Sequence, residues 1–594
     1  MHRKRVSPLG VCVLPPRPRN AARTVIYGHY LHEILAHAGV CYAPLHVDEI
    51  TEALPHLHVL VTVGDTPLSD GTRDALTRWV EVGGAWLAIG GTAGMPTLFG
   101  VEEESASYIG WGASIGTLGE GYLRVQSAEH PALAHAPIPL HFFNGVPVRC
   151  VDAQVLAEVL DAHQRETARA GIVLRQVGKG TCLLIAPDVT GTVVRIQQGV
   201  AVTRDGISAP DGTAPICDDM LKSSDGAVLD WWFDRQPVPD VPGYRAFLQP
   251  IADIWREVVI RAILYLAGVG DVVLPLLWLY PRNLPALAHL SHDTDVNEPA
   301  KAEQLLQVLQ QAGIRSTWCV ILPGYPAEVI ARIDEVGHEL AMHYDAVEEG
   351  SIWDEGAFHE QWRQLRWLFG GRRITTNKNH YLRWEGDTEF FEWCQRLGIR
   401  LDQSKGPSKT GEAGFTFGTC HPYFPVDPKG RVIDVLELPT LTQDLNVFAP
   451  DALLEPLLQA ALRHHGVLHV LFHPAHVDKP GIADTILHTI RRAQEHGMEW
   501  WTARRIDEWE RARRALVWRE YVTEENDVRI RLEAAQPLEE ATLLFVGRQA
   551  GTVEIDGQAV PLQPCVRWGV TMGAVTLNLQ GDMTLKVARP GGQS

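Results

Sequence analysis

The spacing of apolar positions changes twice along the chain, and the changes divide it into three sections. In the first, short continuous apolar runs alternate with amphipathic stretches. HLHVLVTVGD reads as a buried strand, GTRDALTRWVEVGG as a helix and AWLAIGG as the next strand. Such a succession requires a parallel sheet covered on both faces. GIVLRQVGKGTCLLIAPDV reads as a strand pair turning at Gly178 and Gly180. From 200 to 245 Gly, Pro and Asp crowd the sequence and predict an extended connector. Residues 246 to 268 predict an amphipathic helix, limited in its first turns by Pro250.

The second section repeats a strand–helix unit. Strands are predicted at 287–292, 315–321, 338–343, 373–378, 398–402, 432–438, 467–472 and 498–502. Between them lie helical stretches such as EPAKAEQLLQVLQQAG and TEFFEWCQRLG, which end in the glycine that a helix C-terminus favours. The repetition predicts a distorted (β/α) barrel. After residue 515 the period falls to two, as in DVRIRLEAA, EATLLFVG and MTLKVA, which predicts antiparallel strands. The expected organisation is therefore multidomain α/β. It comprises a doubly wound parallel sheet with its connector (1–245), a barrel (246–515) and a small β-sandwich-like accessory domain (516–594).

Charge narrows the function classes. Lys plus Arg number 53 and Asp plus Glu 72, a formal net charge of −19. That balance repels phosphate backbones and anionic lipid, so neither nucleic acid nor a membrane is an expected partner. The nine cysteines are odd in number and lack short ligand spacings, as expected of reduced, mostly buried thiols. The first residues are basic but carry no apolar stretch of signal-peptide length, and VVLPLLWLYP is far too short to span a bilayer. The expected location is the cytoplasm.

Polar residues collect where the barrel strands end, the active face of such folds. LSHDTDV supplies His292, Asp293 and Asp295; two carboxylates at i and i+2 of a strand end share a side and call for a cation between them. GHELAMHYDA supplies His343 and Asp345, and NKNHYLRW supplies Lys378 and His380. Asp402 follows in RLDQS, His421 and Tyr423 in GTCHPYFPVD, Asp444 in LPTLTQDLN, and His473 and His476 in VLFHPAH. A lone histidine is more often a satisfied structural group than a ligand, and the Asp pair could cap a turn. The convergence of these residues from several strand ends favours a metal-dependent hydrolase over a crowded polar rim. Zinc takes imidazole nitrogen and carboxylate oxygen and keeps one position for water. Asp402 and Asp444 are candidates to orient a histidine, with turn capping as their plain alternative.

On these motifs the barrel section resembles the polysaccharide deacetylase superfamily, which removes acyl groups from sugars with a divalent metal, usually zinc. The resemblance implies Asp293 as general base, Asp295 as metal ligand and, through LFH, His473 as general acid. GHE at 337–339 places His343 as the first metal histidine, but Val347 stands where the second belongs. His380 is the expected replacement, with Asp345 the other candidate, and Lys378 takes the place of the family's arginine. Asp402 and Tyr423 complete the expected catalytic set. The first section resembles the class I glutamine amidotransferase-like fold. In its turn GGTAG, Thr92 stands where active members carry a nucleophilic cysteine. Thr92 lacks an easily formed thiolate, so this section is expected to be non-catalytic. The expected activity is hydrolysis of an amide bond in an N-acetylated sugar or glycan fragment, with a two-fold homodimer as the assembly. The alternatives are a hydrolase of small non-sugar amides and an inactive carbohydrate-binding or assembly protein.

Overall fold

The computed structural model describes residues 6–16, 26–104, 118–126, 129–206, 220–270, 272–347, 350–409 and 411–588. The chain folds into two compact units, each assembled from separated segments. One comprises Met1–Val193, Ile254–Asn283 and Arg511–Ser594; the other comprises Val194–Asp253 and Leu284–Glu510. Among the described residues no helix is long and apolar enough to cross a membrane. The described cysteines are free and mostly buried; Cys217 lies outside the described residues.

In the first unit the strands Ala43–Leu45, Leu9–Val13, Val59–Val63, Ala85–Ile89 and Gly180–Ile185 lie side by side in parallel. The sheet does not continue in that sense. The hairpin at Gly178 sends Glu166–Val177 antiparallel to Gly180–Ile185, and Gln154–Asp161, Glu120–Val125 and Leu140–Phe143 follow antiparallel. The expected doubly wound parallel sheet is thus a mixed sheet, because a tight turn can join only antiparallel neighbours. A second, antiparallel sheet is built on the long strands Asp527–Val546 and Val570–Ala588. DVRIRLEAA and EATLLFVG, expected as two strands, are one strand with register shifts between Ala534 and Ala541. The edge strand of this sheet, Leu274–Leu277, comes from outside the 516–594 section.

The second unit is built on a parallel sheet whose strands are β1 (Leu287–Asp293), β2 (Thr317–Val320), β3 (Glu339–Tyr344), β4 (Thr376–Asn379), β5 (Leu401–Asp402), β6 (Leu436–Glu437), β7 (Thr442–Gln443), β8 (Val467–Leu471) and β9 (Glu499–Trp500). Each of the eight strands predicted in this section is present, and β7 is additional. The order is β6–β5–β4–β3–β2–β1–β8–β7, with β9 against the start of β1. No ladder joins β6 to β7 among the described residues, so the sheet is a half-barrel rather than a closed barrel.

Alternation gives each strand two unlike faces. Ala288 and Leu290 of β1, Leu340 and Met342 of β3, and Leu468 and Val470 of β8 join the apolar core with Leu305, Leu309, Ile330 and Ile486 from the helices Pro299–Ala312, Ala327–Glu335 and Ile482–Glu495. The opposite face is polar and tightly curled. Lys378 of β4 hydrogen-bonds Ser291 of β1 at 2.7 Å, and His289 of β1 meets Gln403, just beyond β5, at 3.1 Å. Strands spaced about 4.8 Å apart in a flat sheet would hold β1 and β5 roughly 19 Å apart.

Residues 200–245, expected as an extended connector, partly build this unit. Val202 bridges Gly386, Lys222 bridges Arg383, and Phe247 bridges Gly414. At Gly414 φ is +101°, and an added Cβ would stand 2.1 Å from the Phe247 carbonyl oxygen. Gly414→Ala should therefore destabilise the unit by more than about 1 kcal/mol, read as a lowered thermal midpoint. An unchanged midpoint would contradict the close approach described here.

Candidate functional site

β1 delivers Asp293 to the polar face, while the alternation turns His292 outward, where its Nδ1 meets the Phe472 carbonyl at 2.8 Å and its ring packs on Trp318. Asp295 follows just past the strand end. β3 delivers His343 by the same parity, and its Nδ1 is fixed at 2.9 Å from the Lys378 carbonyl. β4 ends in a tight turn, His380–Leu382, in which Tyr381 and Leu382 both take left-handed backbone angles near +54° and +53°. Non-glycine residues seldom adopt this region, and the strain aims His380 back toward β3.

Asp295, His343 and His380 each place a donor atom within 4.8 Å of the others. His343 Nε2 lies 3.3 Å and His380 Nε2 3.9 Å from Asp295 Oδ1. His343 Nε2, Asp295 Oδ1 and Asp293 Oδ1 are buried without a hydrogen-bond partner among the described residues. Unpaired buried polar atoms are costly, and several aimed at one point are what a cation site leaves when described by its protein atoms alone. Tetrahedral ligation with bonds of about 2.1 Å separates ligand atoms by roughly 3.4 Å, which fits this spacing. Two nitrogens and a carboxylate suit a divalent ion such as zinc. Asp345 is not the third donor here: its Oδ1 lies 3.1 Å from His380 Nδ1 and orients that ring, as carboxylates commonly do behind a metal histidine. Burial pulls the His343 pKa down, but Asp293 and Asp295 outweigh it and leave a net rise. Burial likewise raises Asp295, yet His343, His473 and His380 hold its carboxyl well below the usual range.

A second group stands beside the first. Asp444, wholly buried and at φ +38°, accepts from the His473 backbone N–H at 2.8 Å and hydrogen-bonds His473 Nδ1. His476 Nδ1 lies 3.1 Å from its other oxygen. The three could enclose an ion, but both carboxylate oxygens already face imidazole nitrogens, so the arrangement reads as one anion orienting two rings. His473 Nε2 then lies 3.5 Å from Asp295 Oδ2. Burial lowers the His473 pKa, while Asp444, Asp295 and Asp293 outweigh it and raise it to about 9. Burial likewise works against the Asp444 charge, and the two histidines hold its carboxyl at about 2.

Asp293, Asp295, His343, His380, His473 and His476 line one cavity of about 370 Å³, together with Tyr381, Lys409 and Phe448. Lys409 is neutralised by Asp205 and Asp225, each at 2.9 Å. Lys378, buried beneath the cavity, holds its ammonium 3.6 Å from Asp293 Oδ1. Two expected catalytic residues do not reach it. Asp402 accepts from Asn377 and Ser404 inside the curled sheet, and the Tyr423 hydroxyl donates to the Gln197 carbonyl. Both side chains are committed to the packing of the unit, and neither lines the cavity. In the first unit Thr92 is buried and its hydroxyl bonds Glu103. The sequence reading missed Tyr381 and Phe448 as cavity walls, although Tyr381 adjoins the candidate His380 and Phe448 lies four residues beyond Asp444.

No family model matches the chain, and no curated protein does. Solved structures with partial likeness include a Mycobacterium smegmatis protein named as a polysaccharide deacetylase (16% identity, 41% of this chain and 96% of that one, TM-score 0.31). A Bacillus anthracis pseudoenzyme of the CE4 family has 9% identity over 38% and 66% of the two chains, with a TM-score of 0.26. A β-galactosidase from Bacillus circulans has 15% identity and a TM-score of 0.24, and the chain spans 30% of its length. Scores this low carry no weight for the chemistry of this chain.

The donor set predicts one divalent ion per chain, with affinity falling as pH drops and the imidazoles protonate. Metal analysis after dialysis should show the ion lost from His343→Ala and His380→Ala, and held about 10–100-fold more weakly in Asp345→Asn. Stoichiometric retention in His380→Ala would remove that residue from the ligand set.

Proposed function

We propose that the second unit is a metal-dependent hydrolase of carbon–nitrogen amide bonds, acting on an N-acetylated sugar or glycan fragment. The observation that carries this reading is the placement of a carboxylate and an oriented imidazole, Asp293 and His473, around one set of metal-type donors. Asp293 Oδ2 lies 3.9 Å from His343 Nε2, and His473 Nε2 lies 3.5 Å from Asp295. A divalent ion held by Asp295, His343 and His380 would supply Lewis acidity and a water of lowered pKa. Asp293, whose Oδ1 lies 3.6 Å from the Lys378 ammonium, takes the proton of the attacking water. His473, kept protonated by Asp444, delivers a proton to the departing nitrogen. His380 fills the ligand place that Val347 leaves empty, which speaks against an inactive module. The cavity volume also admits a small non-sugar amide, the second reading. The amidotransferase-like assignment of the first section remains a proposal, with Thr92 non-catalytic.

Zinc-loaded protein should release acetate from at least one member of an acetamido-sugar panel. Asp293→Asn should keep its metal and lose about 10²–10⁴-fold in turnover. His473→Ala should impair amides far more than activated esters, whose leaving groups need no proton. Equal losses on both would remove His473 from the acid role. Because the acid must carry its proton, turnover should fall as pH rises through about 9. A profile still rising there would contradict the assignment.

A further inference from the structure

His473 precedes and His476 ends a short 3₁₀ turn, Pro474–His476, whose period of three residues brings positions i and i+3 into line. The sequence HPAH thereby sets two imidazoles side by side, their ring centroids 5.6 Å apart. Asp444 faces the Nδ1 of both, which directs each Nε2 away from the carboxylate. His473 Nε2 lies 3.5 Å from Asp295 Oδ2, whereas His476 Nε2 meets no partner among the described residues, and its Nδ1, 3.1 Å from Asp444 Oδ1, is outside hydrogen-bond geometry. His476 lines the same cavity, and its ring is braced edge-on by Phe448 at 5.3 Å. Phe448 is itself 58% exposed, so the brace stands in the cavity wall rather than in a core.

We propose that His476 is a specificity-determining residue that hydrogen-bonds a hydroxyl on the leaving-amine half of the substrate, close to the scissile nitrogen. The inference rests on the amide-hydrolase reading and on the assignment of His473 to that nitrogen. The neighbouring ring then meets whatever the same fragment carries beside it. A hydroxyl is the fitting partner because it both donates and accepts, and so suits the free Nε2 whether His476 is neutral or protonated. Lys409 is already neutralised, so among the described residues the cavity offers no competing free ammonium for an anionic group. An amino alcohol, of which an amino sugar is one kind, is the leaving group this pair would select.

The test compares N-acetylglucosamine with N-acetylcyclohexylamine, which keeps the ring and lacks every hydroxyl, on zinc-loaded wild type, His476→Phe and His476→Gln. His476→Phe should lose about 10–100-fold in kcat/KM on the sugar, mainly through KM, and little on the cyclohexyl amide. His476→Gln, which restores a donor and an acceptor, should recover most of the loss. Calorimetry in the Asp293→Asn background supplies a readout independent of turnover, with sugar binding weakened about tenfold by His476→Phe. Equal losses on both probes, or unchanged sugar binding, would overturn the role of His476 alone. A wild type that cleaves neither probe would overturn the hydrolase reading beneath it.

Discussion

Asp293 and Asp295 leave the end of β1 two residues apart, and their mutual repulsion is the constraint around which the second unit is arranged. Every group that converges on them is cationic or can become so: Lys378 at 3.6 Å from Asp293, His343 at 3.3 Å from Asp295, His380 at 3.9 Å and His473 at 3.5 Å. The protein atoms still leave buried oxygens and an imidazole nitrogen unpaired between them. A cation bound between them would give these atoms a partner. Each ring is held in one orientation by a bond to its far nitrogen, from a carbonyl at His343, from Asp345 at His380 and from Asp444 at His473. Such fixed orientation lets a site act without reorganising during the reaction.

The curl of the sheet makes the convergence feasible. Polar side chains on the inner face replace the branched apolar layers that commonly fill a barrel, and they bond one another across the curl. Glu339 shows the same economy at the other end of β3, where it accepts from Thr317, Thr376 and the Arg504 backbone N–H. Its place in the GHE motif is structural; the chemistry four residues on belongs to His343.

Much of this was legible in the sequence, for reasons that differ by element. The strands of the second unit announce themselves through apolar runs and glycine-ended helices, and the metal-type triad follows from strand-end polarity joined to the gap at Val347. What escaped depends on long-range pairing. The hairpin at Gly178 was visible, but not the antiparallel meander beyond it. A Gly-, Pro- and Asp-rich stretch reads as a linker whether or not its backbone bridges to a distant loop, as Val202 does to Gly386. Asp402 and Tyr423 look catalytic by position, but their partners Asn377, Ser404 and Gln197 lie on other elements, where no local pattern shows them.

On the proposed reading, Asp295, His343 and His380 hold one ion and leave room for a water. X-ray absorption at the zinc edge of the loaded protein reads this shell directly. Four nitrogen or oxygen neighbours are expected at about 2.1 Å, with the outer-shell scattering of two imidazoles. A six-oxygen shell without imidazole scattering, or a sulfur neighbour, would contradict it.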